Sequence, residues 1–289
     1  MNKVFLALSA QECTELSQLL EVHEQPNWTI EKTDTACQLC GYFDEDYEPA
    51  WVELQVLYPT LKEKSLTIEP VEACDWKDAY KQYLHPVHIG PIHIVPVWER
   101  DTYEIPPGDF GIFLDAEMAF GTGMHETTRL CLSRAVDYKG LFSKDLFLKQ
   151  AIDVGCGSGI LSIAAAKLGF ASVYGFDIDP DAIQVSRSNA VLNETPGIEF
   201  RTADLKAGIL GRQGDLIMAN VLAPVLIEHA SILVNTVNRY GCLSLSGILK
   251  EEVSAVEAVF TPLVKQYWDS YFLNTRVLGQ WAELAYFQT

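Results

Sequence analysis

At 289 residues the chain is long enough for one full α/β domain and a smaller companion, since single domains mostly run to about 100 to 200 residues. Its 48% hydrophobic and 21% charged residues suit a soluble globular protein, and no apolar run approaches the roughly 20 residues that a membrane helix requires. With 21 Lys and Arg against 39 Asp and Glu, the net charge of −18 argues against a nucleic-acid backbone as main partner; it fits a basic partner, or solubility alone.

The first 70 residues carry 13 of the acids against four lysines, so half of the net charge lies in about a quarter of the chain. Residues 1–10 hold one Lys and a short apolar run, too weak for a secretory signal. Seven scattered cysteines form no disulfide framework and suit a reducing compartment, so a cytoplasmic protein is expected. A strand is predicted at 4–8, then a helix at 10–22 with Ser9 as N-cap. Strand-like runs from Trp28 and over 36–43 suit a hairpin, 50–57 a short helix and 65–71 a strand. The order β-α-β-β-α-β is ferredoxin-like, with an exposed acidic loop at 44–48. Cys37-x-x-Cys40 has no second ligand pair at a zinc-site distance and no redox setting, and reads as small buried strand residues.

Between Pro70 and Pro107 lie six of the 13 prolines, which predicts a connector over 71–107. Within it, 75–83 looks like one short helix. His85, His88 and His93 are separated by prolines and read as structural or solvated rather than metal ligands.

The third predicted region, 108–289, opens on Phe120-Gly-Thr-Gly-Met-His-Glu-Thr-Thr128, which precedes a helical run over 129–136. Gly121 and Gly123 permit a tight backbone path. Thr127 and Thr128 offer hydroxyls at a helix start, where orphan N–H groups suit an anionic or polar ligand; capping alone explains them equally well. His125 is either a ligand-facing group or a turn residue.

Residues 151–180 read as strand, glycine turn, helix, strand. Gly155, Gly157 and Gly159 sit where an apolar strand gives way to a helix, so a ligand can lie against the main chain. The second strand ends at Asp177, 22 residues after Gly155, about where a doubly wound fold places the carboxylate that grips a ribose. The spacing is Gly-x-Gly-x-Gly, and Ile160 stands where the dinucleotide fingerprint has its third glycine, which disfavours a nicotinamide oxidoreductase.

Asp179 and Pro180 start a helix over 181–192. Strands are predicted at 198–202, 215–219 and 242–246, with helices at 224–237 and 251–259; two last strands, 264–273 and 282–287, form an antiparallel hairpin. The expected architecture is α/β, a doubly wound, mostly parallel Rossmann-like sheet. Ligands of such sheets bind at the carboxyl ends of the strands, where the glycine turn, Asp177, Asp204 and Asn220 collect.

Asp153 to Leu161, Gly175 to Pro180, Ala219 to Leu222, Ser246 to Leu249 and Ala119 to Thr128 together resemble the PrmA family, class I methyltransferases that modify large-subunit ribosomal protein L11. The match runs from about Asp75 to the end, with departures at Ala116-Glu117 and Met124. The first 70 residues match in size and element order only.

The resemblance implies S-adenosyl-L-methionine as cofactor, held by Thr128, Gly155, Asp177 and Asn220, with Gly157 and Gly159 in the same turn. Phe120, Gly121 and Thr122 would form the facing segment, and Asp204 would face the adenine amino group. Asn220, near the sulfonium methyl, is the candidate catalytic residue. The implied reaction is protein N-methylation of lysine side-chain or N-terminal amines of L11, a basic partner, by a monomer with no membrane or direct nucleic-acid partner. Domain 1–70 would recognise the substrate. A lysine methyltransferase of another protein, such as an electron-transfer flavoprotein subunit, shares most of these motifs.

Overall fold

Apolar residues alternating along short runs build the first sheet, and a computed structural model describes residues 2–9, 11–13, 16, 20, 28–32, 37–43, 47–70, 85–114 and 125–289. The chain divides into two compact units, Met1–Leu84 and His85–Thr289.

In the first unit, β1 (Asn2–Leu8), β2 (Trp28–Lys32), β3 (Cys37–Phe43) and β4 (Thr67–Pro70) form a sheet in the order β2-β3-β1-β4, every neighbouring pair antiparallel. Ser9 and Glu12 make a reciprocal capping box: the Ser9 N–H donates to Glu12 Oε2 at 2.8 Å and the Glu12 N–H to Ser9 Oγ at 3.3 Å. This supports the predicted N-cap, and Gln11, Glu12, Cys13, Leu16 and Leu20 are helical. Helix α1 (Glu48–Leu57) buries Trp51 and Leu54. Trp28 packs 5.3 Å from Phe43 and 5.6 Å from Trp51, and its indole N–H reaches the Ala50 carbonyl. The expectation of no disulfide is corrected here, for Cys13 is bonded to Cys37. Cys40 is buried and free, because three positions along a strand turn it to the opposite face from Cys37. The acidic segment 44–46 lies outside the described residues.

The second unit begins with β5 (Val87–Ile89), β6 (Ile92–Pro96) and β7 (Phe110–Leu114), a small sheet with β5–β6 antiparallel and β6–β7 parallel. Residues 87–96, expected within a connector, are therefore part of this unit, and β6 is wholly buried. Pro96 is tolerated because it ends its strand. His93 is buried between Tyr103 Oη at 2.8 Å and Asp109 Oδ2 at 3.0 Å, while His88 stacks on it. The helix expected at 75–83 lies outside the described residues.

The main sheet is assembled from α2 (Glu126–Leu141), β8 (Gln150–Val154), α3 (Ile160–Leu168), β9 (Ser172–Asp177), α4 (Pro180–Leu192), β10 (Glu199–Thr202), α5 (Leu205–Ile209), β11 (Gly214–Asn220), α6 (Ala223–Glu228), α7 (Ala230–Asn235), β12 (Val237–Leu249), α8 (Val253–Tyr267), β13 (Tyr271–Leu278) and β14 (Trp281–Gln288). Strand order is β10-β9-β8-β11-β12-β14-β13; the first five run parallel, and β14 and β13 are antiparallel to their neighbours. This is a mixed, Rossmann-like α/β sheet with the expected terminal hairpin. Helices cover both faces, so central strands are apolar on both sides: Leu216 and Met218 enter one core, Ile217 and Ala219 the other.

Two elements differ from expectation. The single helix expected at 224–237 breaks at His229 into α6 and α7, and Val237 already belongs to β12. Helix α8 continues to Tyr267 through Pro262, taking Val264 out of the predicted strand. Val256, Phe260 and Val264, fully buried at four-residue spacing, form the stripe that holds the helix together past the proline.

Candidate functional site

The parallel strands end together on one edge of the sheet, and the site is built from the turns and helix starts at that edge. Beyond β8 the chain turns through Gly155, Gly157 and Gly159, all at positive φ (68°, 51° and 79°). A Cβ on Gly155 would stand 2.7 Å from Val221 Cγ1, and one on Gly159 would stand 2.9 Å from Ser186 Cβ. Any side chain at either position would therefore both strain the turn and close the space beside it. The N–H groups of Gly155 and Cys156 both donate to the Phe176 carbonyl at 2.9 Å, which ties the turn to β9.

Asp177, the last residue of β9, is half-buried. Its Oδ2 accepts the Gly157 N–H at 2.9 Å and its Oδ1 the Asp179 N–H at 3.0 Å. These bonds aim the carboxylate while leaving lone pairs for a ligand, because an ionised carboxylate has about four acceptor sites. Beneath the turn, Asp153 is fully buried with Oδ2 held by the Ser162 N–H and hydroxyl, and its Oδ1 has no hydrogen-bond partner. Burial pushes this carboxyl up to about 7, opposed by the Ser162 hydrogen bonds and reinforced by the charge of Asp177.

The opposite wall is the start of α2. His125 is its N-cap, and its ring nitrogen Nδ1 accepts the Thr127 N–H and meets the Thr127 hydroxyl at 2.8 Å. Thr127 and Thr128 are buried, and Asn220 at the end of β11 donates from Nδ2 to Thr128 Oγ1 at 3.5 Å. Ser246 of β12 anchors the helix start through its hydroxyl to the Thr127 carbonyl at 3.1 Å. Trp281, first residue of β14, meets His125 edge-on at 5.0 Å between ring centres.

Together these groups enclose a cavity of about 350 Å³ lined by His125, Thr127, Thr128, the turn from Gly155 to Ser158, Asp177, Asn220 and Trp281, among others. Thr128, Gly155, Gly157, Asp177 and Asn220 are thus brought together as the sequence reading expects. Gly159 is set back, shaping the start of α3 against Ser186 and Phe200. Asp204 is not among the lining residues. Its exposed carboxylate caps α5 by accepting the Ala207 N–H at 2.8 Å. Phe120, Gly121 and Thr122 lie outside the described residues. A wider groove of about 590 Å³ between α5 and α7 contains none of the strand-end residues.

Sequence reasoning passed over Trp281. The antiparallel direction of β14 was the usable signal, since it puts the strand's first residue at the edge where the parallel strands end.

This cavity fits S-adenosylmethionine by its chemistry. The glycine cradle leaves room beside the main chain, Asp177 offers free acceptor sites to vicinal hydroxyls, and apolar walls at Ile160, Leu161 and Val221 suit a thioether chain.

A family model described as ribosomal protein L11 methyltransferase (PrmA) matches residues 5–284. Ribosomal protein L11 methyltransferases of Alteromonas mediterranea and Pelobacter propionicus are 36% and 37% identical, over 86% and 85% of this chain and 80% of each relative. The crystal structure of a ribosomal protein L11 methylase from Lactobacillus delbrueckii subsp. bulgaricus superimposes with a TM-score of 0.61 at 31% identity, covering 70% of this chain and 98% of that one. The chain belongs to the PrmA family of ribosomal protein L11 methyltransferases.

Proposed function

We propose that the chain transfers methyl groups from S-adenosylmethionine to lysine side-chain and N-terminal amines of ribosomal protein L11, with the cavity at the strand ends as its site. The observation that carries this reading is the pairing of the glycine turn and Asp177 on one wall with Thr128, Asn220 and Trp281 on the other. When bound, the cofactor supplies an electrophilic methyl on a sulfonium. Asp177 and the glycine turn would hold that group with its methyl toward Asn220, where the amine would take the methyl in place of a proton, the sulfur being left as a neutral thioether and the proton released to water.

The chain's own residues have three tasks. Asp177 would accept the ribose hydroxyls, and the backbone from Gly155 to Ser158 would hold the methionine portion. Asn220, braced by Thr128, orients the incoming amine through its free carbonyl oxygen. Trp281 and the apolar walls exclude water, which favours the neutral, nucleophilic amine over its ammonium form. A lysine with pKa about 10.4 is only about 1 part in 2,500 neutral at pH 7, so this desolvation matters. Phe120, Gly121 and Thr122 remain cofactor-binding candidates in this reading; Asp204, outside the cavity lining, caps α5 instead.

The first unit, with its β2-β3-β1-β4 order, reads as a ferredoxin-like substrate-recognition domain. Its charge balance of −9 over residues 1–70 suits a basic ribosomal protein. A cytoplasmic location follows from the substrate; among the described residues no helix is long and apolar enough to cross a membrane.

Incubating the protein with S-adenosylmethionine carrying a labelled methyl and with purified L11 tests this. Label on L11 lysines or its N-terminus is expected. Normal cofactor binding with no label on L11 would reject the substrate.

A further inference from the structure

The helix that carries Thr127 and Thr128 and the strand that carries Trp281 are joined beneath the cavity by a buried ionic cluster. Arg134 is 2% exposed and Glu283 fully buried. Arg134 Nε donates to Glu283 Oε1 at 2.8 Å and Nη2 to Oε2 at 2.7 Å, a two-pronged pair. Nη2 also donates to Asn274 Oδ1 of β13 at 2.7 Å, and the Ser244 hydroxyl of β12 donates to Glu283 Oε1 at 2.7 Å. Four elements, α2, β12, β13 and β14, therefore meet at one ion pair.

Placement links this cluster to the cavity. Glu283 is two residues from Trp281 and so shares its face of β14. Arg134 is seven residues from Thr127, two turns along the same stripe of α2. Ser244 and Ser246 repeat the pattern on β12, one holding Glu283 and the other the Thr127 carbonyl. A buried ion pair is weak as a source of stability, since well-packed apolar residues can replace it at equal or lower cost. Its directional bonds do what an apolar contact does not: they admit a single register between helix and hairpin.

We propose that Glu283, gripped by Arg134, is a positioning residue for methyl transfer: it fixes Trp281 against the Thr127–Thr128 end of α2 and so sets the acceptor side of the cavity. This rests on the proposed function, in which Trp281 and Asn220 face the amine. Glu283 itself lines no part of the cavity.

The test replaces the pair by apolar residues, Arg134→Met with Glu283→Leu, in the full chain labelled with 5-fluorotryptophan. Six tryptophans give six fluorine signals, and Trp281→Phe identifies the relevant one. The double variant is expected to bind S-adenosylhomocysteine within about threefold of the parent, while kcat for L11 methylation falls about tenfold because the amine is misplaced. The Trp281 fluorine signal should split or broaden while the other five stay as they were. An unchanged Trp281 signal with unchanged kcat would overturn the proposal. If the double variant fails to bind the cofactor analogue, Ser244→Ala, which removes one bond to Glu283, is read in the same two ways. Absence of transfer by the parent protein would reject the function instead, and the fluorine signal would still decide whether the Arg134–Glu283 pair fixes Trp281.

Discussion

Replacing Asp177 by alanine is expected to weaken S-adenosylmethionine binding by roughly 10²- to 10⁴-fold, because two hydrogen bonds to a charged acceptor are lost at about 1.5–3 kcal/mol each. The carboxylate also aligns the turn by holding the Gly157 N–H, so the loss includes part of the cradle's order. Asp177→Asn separates the two contributions. It keeps an acceptor for Gly157 but lacks the charge, and it should fall between the parent and alanine. The residue is half-buried at a strand end, outside both cores, so thermal unfolding should shift little in either variant. Calorimetric titration reads the affinities directly, and an Asp177→Ala protein that binds like the parent would refute the ribose assignment.

Asn220→Ala separates binding from chemistry. Its amide reaches Thr128 at 3.5 Å from one end, which leaves the carbonyl oxygen for the substrate amine. Losing that acceptor leaves the amine free to rotate away from the line of attack. A positioned group of this kind contributes about 10²-fold, so the single-turnover rate should drop by about that factor. Cofactor affinity should stay within a few-fold, since Asp177 and the turn are untouched. Rapid-quench measurement with saturating L11 distinguishes the outcomes: a parent-like rate would remove Asn220 from the catalytic role and leave it as a wall residue.

The parts of this site that the sequence made legible are those whose signal is local. Gly155, Gly157 and Gly159 mark the turn because a strand must become a helix within a few residues there, and the observed positive φ values are what only glycine adopts readily. Asp179 and Pro180 announce α4, and Asp179 indeed accepts the Asp181 N–H at 2.8 Å. Ser9 and Glu12 announce a helix in the same way.

The illegible parts depend on partners far along the chain. Trp281 reaches the site because β14 inserts between β12 and β13, a pairing over tens of residues that no short window shows. Asp204 follows a parallel strand, as ligand residues do, yet it caps the first turn of α5 and lies outside the cavity lining. The prolines near 86–96 suggest a connector, while burial against the second unit's core makes those residues strands. Helix α8 outlasts its proline for the same reason, because Phe260 and Val264 are buried on either side of it.

The central claim is that one cavity holds both cofactor and amine, and the structure of the chain crystallised with S-adenosylhomocysteine tests it most directly. The account predicts the ribose hydroxyls on the Asp177 carboxylate, the amino-acid portion along the turn from Gly155 to Ser158, and the sulfur facing Asn220 and Trp281. A molecule seated elsewhere, such as the groove between α5 and α7, or one bound here with its ribose turned away from Asp177, would contradict it.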